Sequence, residues 1–257
     1  MRRAAGLALA AAMLVPASAG AGLARPPVAL TVTPARVALA GSGQAAVRVT
    51  NAGLSPLVVD VARAGFALDL RGRPKVVARA APRASASWLT VRPGRFVLGP
   101  GAGRSLTVVS RLPDRVEPGD HDALVLLTTR PQRGAGVAVR MRIGIVVVVR
   151  APGPVVRRLD LRGLRVRRGR GARTLELGVV NLGNVTETLD RGWVRVSLRR
   201  GAVEATLSAD PRELRPRTRG VVQLPYRGRL RGWVTVRVRM AAHGGLPVVR
   251  RTYRVHL

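Results

Sequence analysis

Apolar and polar residues alternate along nearly the whole chain, and the only helix-period stretch of any length lies at the very beginning. Short runs rich in β-branched residues recur between Gly and Pro turns. In the first half these are VALTV (28–32), AAVRVTN (45–51), PLVVDVA (56–62), SWLTV (87–91), SLTVVSRL (105–112), DALVLLTT (122–129) and GVAVRMRIGIVVVV (136–149). Strands at this spacing predict an antiparallel sandwich of about 100 residues. RAPGPVV (150–156) breaks the pattern with two prolines and a glycine, which make a short, stiff linker. A second series follows: VVRRLDL (155–161), TLELGVVN (174–181), WVRVSL (193–198), VEATLS (203–208), GVVQLPY (220–226), WVTVRVRM (233–240) and VVRRTYRVHL (248–257). VRVTNAG (47–53) returns as LGVVNLG (177–183), each an alternating strand closed by Asn and Gly. The chain therefore reads as all-β, two antiparallel sandwiches in tandem. A βαβ arrangement fails for want of crossover helices.

The first residues stand apart from that pattern. MRR is a charged start, AAGLALAAAMLV an apolar run and PASAGA a small-residue cleavage region, which together predict a cleavable signal peptide over 1–21. Pro16 and the small residues end the apolar run short of a membrane span. The Arg2-Arg3 pair fits either the general secretory or the twin-arginine route. IGIVVVV (143–149) has the length of a buried strand, so the mature chain is expected outside the cytoplasm with no transmembrane segment. It contains no cysteine. With disulfides out of reach in a compartment that permits them, it must rely on hydrophobic cores, and it is long enough for two.

The net charge is +32, and Lys75 is the single lysine among 45 basic residues. An arginine bias of this kind, with abundant Ala, Gly, Val and Pro, reflects genome composition more than selection for a basic surface, and export lowers the case for nucleic acid further. The charge still predicts salt-sensitive attraction to anionic polymers such as teichoic acids, lipid headgroups or capsule.

No catalytic or cofactor motif emerges, and the chain is not expected to be an enzyme. His121, His243 and His256 lack a second ligand at metal spacing and read as surface or strand-end residues. There is no G-x-S-x-G elbow. PDRVEPGDHD (113–122) gathers Asp114, Glu117, Asp120 and Asp122, but without EF-hand spacing it reads as a solvated loop answering nearby arginines. GPGAGRS (99–105) lacks the lysine and the following helix of a phosphate loop. LRGLRVRRGRGAR (161–173) carries Arg162, Arg165, Arg167, Arg168, Arg170 and Arg173 and reads as a solvated hairpin tip or as an anion-binding patch. Trp88, Trp193 and Trp233 sit in strands, where a core role is expected.

What remains is an edge strand. Sandwiches expose strand edges, to which an extended partner segment adds by main-chain hydrogen bonds. Val137, Val139, Met141, Ile143, Ile145, Val147 and Val149 form an alternate apolar row, with Arg140 and Arg142 on the other face. In LTVTPARVALA (30–40), VRVTNAGLSPLVVDV (47–61), WLTVRPGRFVLGPGAGRSLTVVSRLP (88–113) and strand 136–149, the chain resembles two-domain extracytoplasmic immunoglobulin-like proteins of the periplasmic pilus-assembly chaperone type. It is also similar to the WxL-interacting surface proteins of Gram-positive bacteria.

The resemblance implies two immunoglobulin-like domains, 22–150 and 151–257, with Arg36 and Arg142 as anion anchors for a client's terminal carboxylate. Val139, Met141, Ile143, Ile145 and Val147 would be read by the client. The expected function is that of a non-enzymatic chaperone or scaffold for an exported surface or pilus-type protein. The alternative is a cell-envelope module holding peptidoglycan or an anionic wall polymer through its arginines. No cofactor and no metal are expected.

Overall fold

The computed structural model describes residues 26, 28–77, 85–130, 139–169, 172–189, 193–241 and 248–257. The expected signal peptide, Val137, Arg170 and His243 lie outside the described residues. The first half contains β1 (Leu30–Thr33), β2 (Arg36–Ala40), β3 (Gln44–Asn51), β4 (Leu57–Leu68), β5 (Pro74–Val77), β6 (Leu89–Arg92), β7 (Arg95–Leu98), β8 (Gly103–Ser110), β9 (Gly119–Thr129) and β10 (Arg142–Ala151). The second half contains β11 (Leu159–Arg168), β12 (Arg173–Asn181), β13 (Glu187–Leu189), β14 (Val194–Arg200), β15 (Val203–Ser208), β16 (Arg212–Leu214), β17 (Arg219–Tyr226), β18 (Trp233–Met240) and β19 (Val249–His256). Among the described residues no helix is long and apolar enough to cross a membrane.

Each half is an immunoglobulin-like sandwich with its own core. In the first, sheet β1-β3-β8-β6 faces sheet β2-β10-β9-β4-β5, and β7 joins the latter through β4. The alternation seen in the sequence is the cause: Val47, Val49, Leu106 and Val108 point inward from one sheet, and Val125, Leu127, Ile145 and Val147 from the other. In the second half, β11-β12-β17 faces β15-β14-β18-β19, with Leu175, Leu177, Val196, Leu198, Val236 and Val238 between them. The β13-β16 pair adds Leu189 and Leu214 to this core.

The repeated Asn-x-Gly element has one structural meaning in both halves. Asn51 is fully buried. Its Nδ2 donates to the carbonyls of Ser55 at 2.8 Å, Gly99 at 3.1 Å and Leu98 at 3.2 Å, and its Oδ1 accepts from the Gly53 amide at 3.0 Å. Asn181 repeats the bracket, donating to Val185 and Leu214 and accepting from Gly183 at 2.8 Å. A Cβ on Gly183 would stand 2.3 Å from the Val156 carbonyl, so the turn admits glycine alone.

The linker is held rather than free. Asn184 Oδ1 accepts from Val156 at 2.7 Å, and its Nδ2 donates to Pro154 at 2.8 Å and across to Pro118 of the first half at 3.1 Å. The Asp120 amide donates to the Asn184 carbonyl at 2.8 Å. This contact leaves no room for a side chain at Gly119, whose Cβ would fall 2.1 Å from that oxygen.

Candidate functional site

Strand β10 lies between β9 and β2. It pairs antiparallel with β9 along its whole length, but β2 runs parallel to it only over Val146–Arg150. The expected edge along 136–149 is therefore corrected: β2 comes back alongside and covers the second half of the strand. Among the described residues, no strand pairs with Arg142–Ile145 on that side. The Val146 amide donates to Ala35 on the β2 side, while the Met141 carbonyl accepts from Thr129 on the β9 side. Main-chain groups alternate sides along a strand, so the amides and carbonyls of Arg142 and Gly144 point to the uncovered edge.

The apolar row divides at the same place. Ile145 and Val147 are fully buried in the first core, with Val149 beside them. A partner cannot read these side chains while the core is closed. Met141 and Ile143 are partly buried against that core, and Val139 is exposed. The accessible part of the row is thus Val139, Met141 and Ile143, next to the open main-chain edge.

Arg36 and Arg142 project from the outer face of the same sheet but are not neighbours. Arg36 is in register with Val146, four residues beyond Arg142, or about 13 Å along the strand. Arg36 already pairs through Nη1 with Glu213 of the second half. Arg142 is exposed and makes no ion pair among the described residues. A joint anchor is not assembled in this arrangement, because the two arginines stand at different levels and one holds a carboxylate of the protein itself.

Between the halves, this outer face bears charges that the sequence hides. β9 is buried on both faces: Ala123, Val125 and Leu127 point into the core, while Leu124 and Leu126 pack with Phe66 and Val146 outside it. Asp120 and Asp122, expected in a solvated loop, begin this strand and are almost fully buried. Asp122 accepts from Arg215 Nε at 2.6 Å, and the Arg215 guanidinium stands 4.8 Å over the Phe66 ring and donates to the Phe66 carbonyl. Asp120 accepts two bonds from Arg150, at 2.7 and 3.1 Å, and one from the Thr186 amide at 2.7 Å.

These settings push the two carboxyls apart. Burial raises Asp122 above the usual carboxylate value, and the attraction of Arg215 offsets only part of this. Burial acts on Asp120 too, but hydrogen bonds from Arg150 and Thr186 outweigh it and hold the group below its usual value. Arg157 donates at 2.8 Å to buried Glu187 close by. His121, expected as a surface or strand-end residue, lies near the start of β9 and is buried against Trp88 with ring centroids 4.6 Å apart. Sequence reasoning named Asp120 and Asp122 and expected arginine partners, but missed their burial and the partners Arg150 and Arg215. The available signal was the scarcity of acid: with 13 carboxylates in the chain, two on alternate positions at the head of a strand needed arginine partners.

The arginine-rich segment 161–173 is the β11–β12 hairpin. Arg162, Arg165, Arg167 and Arg168 are exposed and Arg173 is partly buried. Its charge is partly answered from within: Arg167 lies 3.2 Å from Glu176, Arg162 lies 3.8 Å from Asp160, and Arg168 donates to His256 at 2.9 Å. Trp233, expected in the core, is exposed.

No protein-family model matches the chain, and no characterised protein matches it in sequence. Solved structures do match in shape. One comes from a chaperone–tip adhesin complex of CFA/I fimbriae biogenesis: TM-score 0.51, 12% identity, covering 87% of this chain and 98% of that one. Another is the class 5 fimbriae chaperone CfaA: TM-score 0.50, 12% identity, with the same coverage. This chain has the fold of the two-domain fimbrial chaperones. At such identity the likeness carries the architecture, and the site rests on the residues described above.

Proposed function

We propose that this chain is a non-enzymatic, exported chaperone-like protein that holds an extended segment of a surface or pilus-type protein at the open edge of β10. Its organisation would be a signal peptide over 1–21, one domain over 22–150 and a second over 151–257. The observation carrying this reading is the offset between β10 and β2. Arg142 and Gly144 offer paired donors and acceptors in the spacing of a sheet edge, beside the accessible side chains of Val139, Met141 and Ile143. An added strand would continue the sheet where β2 stops. Of the two similar solved structures, one is described as a fimbriae chaperone and the other comes from a chaperone–tip adhesin complex.

Arg142 would serve the client's anionic end directly. Arg36 would do so only after leaving Glu213. The deciding variant is Gly144→Pro, which removes the outward amide but leaves the β9 ladder intact. Proline is tolerated at such edge positions, and a Cβ here meets only Leu124 and Leu126 at ordinary contact distance. Each lost main-chain bond at the edge weakens binding by roughly fivefold to tenfold. Pull-down of exported proteins from the native host should therefore fall in the Gly144→Pro protein and in Met141→Asp. Undiminished capture by a Gly144→Pro protein with a wild-type circular dichroism spectrum would remove the edge from consideration.

A further inference from the structure

The outer face of the β15-β14-β18-β19 sheet presents six arginines: Arg195 and Arg199 on β14, Arg237 and Arg239 on β18, and Arg250 and Arg254 on β19. The register sets three of them side by side, since Arg195 is paired with Arg239 and Arg239 with Arg250. Like charges directly opposite on neighbouring strands destabilise a sheet. None of the six makes an ion pair among the described residues. Glu204, opposite Arg199, is the one carboxylate in this register of the four strands. A shallow depression of about 450 Å³ runs over the Arg195–Arg239–Arg250 row.

A second observation lies at the corner of the same face. Trp233 is 57% exposed, with the Arg254 guanidinium 5.4 Å over its ring and the His256 ring edge-on at 5.5 Å. An indole with an apolar body and a polar N–H is suited to the boundary between headgroups and acyl chains.

We propose that this face docks the protein on an anionic lipid surface. The arginines would lie over headgroup phosphates, and Trp233 would enter the interface. A broad sheet with outward arginines in rows matches a planar array of phosphates, and the exposed Trp separates this reading from a soluble polyanion, which gives an indole nothing to enter. The contacts between the two halves include those of Glu176, Asn184, Thr186, Arg212, Glu213, Arg215 and Val221, and none of the six arginines takes part in them. The docked protein would keep the β10 edge open, and the proposal stands or falls independently of client capture.

The experiment is co-sedimentation of the mature chain with vesicles of phosphatidylglycerol and phosphatidylcholine, against vesicles of phosphatidylcholine alone, at low and near-physiological salt. The wild type should sediment with the anionic vesicles only, and less so as salt rises. The triple variant Arg195→Gln, Arg239→Gln, Arg250→Gln should lose on the order of a hundred-fold in partitioning. Its melting temperature should stay level or rise, because it removes the like-charge row. Arg162→Gln, Arg165→Gln, Arg167→Gln removes equal charge from the hairpin, away from the His256–Trp233 corner, and should keep most of the binding. A blue shift of tryptophan emission on anionic vesicles should vanish in Trp233→Phe. Equal losses in the two triple variants would mean net charge alone is responsible, and would overturn the proposal. So would absence of the blue shift, or equal binding of the wild type to polyglutamate beads.

Discussion

Each half of the chain closes one strand on a buried asparagine, and the residue type matters because only an amide donates and accepts at the same place. Asn51→Ala would leave the Leu98, Gly99 and Ser55 carbonyls short of a donor in a buried setting. The expected cost is about 2–3 kcal/mol in urea unfolding, with a similar loss for Asn181→Ala. The turn itself was legible in VRVTNAG and LGVVNLG. The carbonyls it satisfies were not, because Leu98 lies 47 residues from Asn51 and Leu214 lies 33 from Asn181. The acidic segment misled for the same reason: Arg215 lies 93 residues from Asp122, and local sequence gave no sign of burial. The two aspartates also predict opposite pH responses. Asp120 is depressed in the folded state, so its contribution is present above the unfolded value of about 3.9 and is lost as pH falls through the folded value. Asp122 is raised, so the folded state takes up its proton first, and stability from this group rises as pH drops toward about 3.9. Acid unfolding should therefore set in below about pH 4, and Asp120→Asn should flatten that limb of the stability curve.

At the scale of an element, β10 shows what alternation can and cannot reveal. The pattern from Met141 to Val149 identified which side chains face inward, and Ile145 and Val147 are indeed core residues. It could not say where a neighbouring strand begins, because pairing partners are chosen by topology and β2 arrives from more than a hundred positions away. The consequence is measurable by amide exchange in the free protein. The Gly144 amide should exchange quickly and the Val146 and Val148 amides slowly, since β2 covers the latter. Slow exchange at Gly144 without a partner would mean that another segment already occupies the edge. The basic face of β14, β18 and β19 makes the complementary point. Its periodic arginines were visible as VRVSL, VTVRVRM and VRRTYRV, but only the register reveals that Arg195, Arg239 and Arg250 form one row.

For the whole molecule, the two sandwiches meet through a seam rather than a tether. Arg215 reaches from the second half to Asp122 and the Phe66 carbonyl, Glu213 reaches Arg36, and the Asn184 and Thr186 amide groups reach Pro118 and Asp120. Removing one partner of a buried ion pair strands the other charge, at about 3–5 kcal/mol. Arg215→Ala should therefore split a single calorimetric transition into two, as the halves lose their coupling. One unchanged transition would show that the seam is held elsewhere. Tandem sandwiches were readable from the alternating runs on either side of RAPGPVV, whereas the seam depends on pairs that span the linker and left no local trace.

The turn between β4 and β5 gives this seam a final property. Its Leu70 carbonyl accepts the Val221 amide at 2.7 Å, so the first half supplies main chain to β17, an outer strand of the second half. The strand is thereby blunted against pairing with other copies, as exposed sheet edges otherwise invite. Covalent continuity at Pro152–Pro154 then becomes secondary once folding is complete. A protease cutting there would produce two polypeptides that migrate as one particle, whereas the second half synthesised alone would carry a bare edge and self-associate.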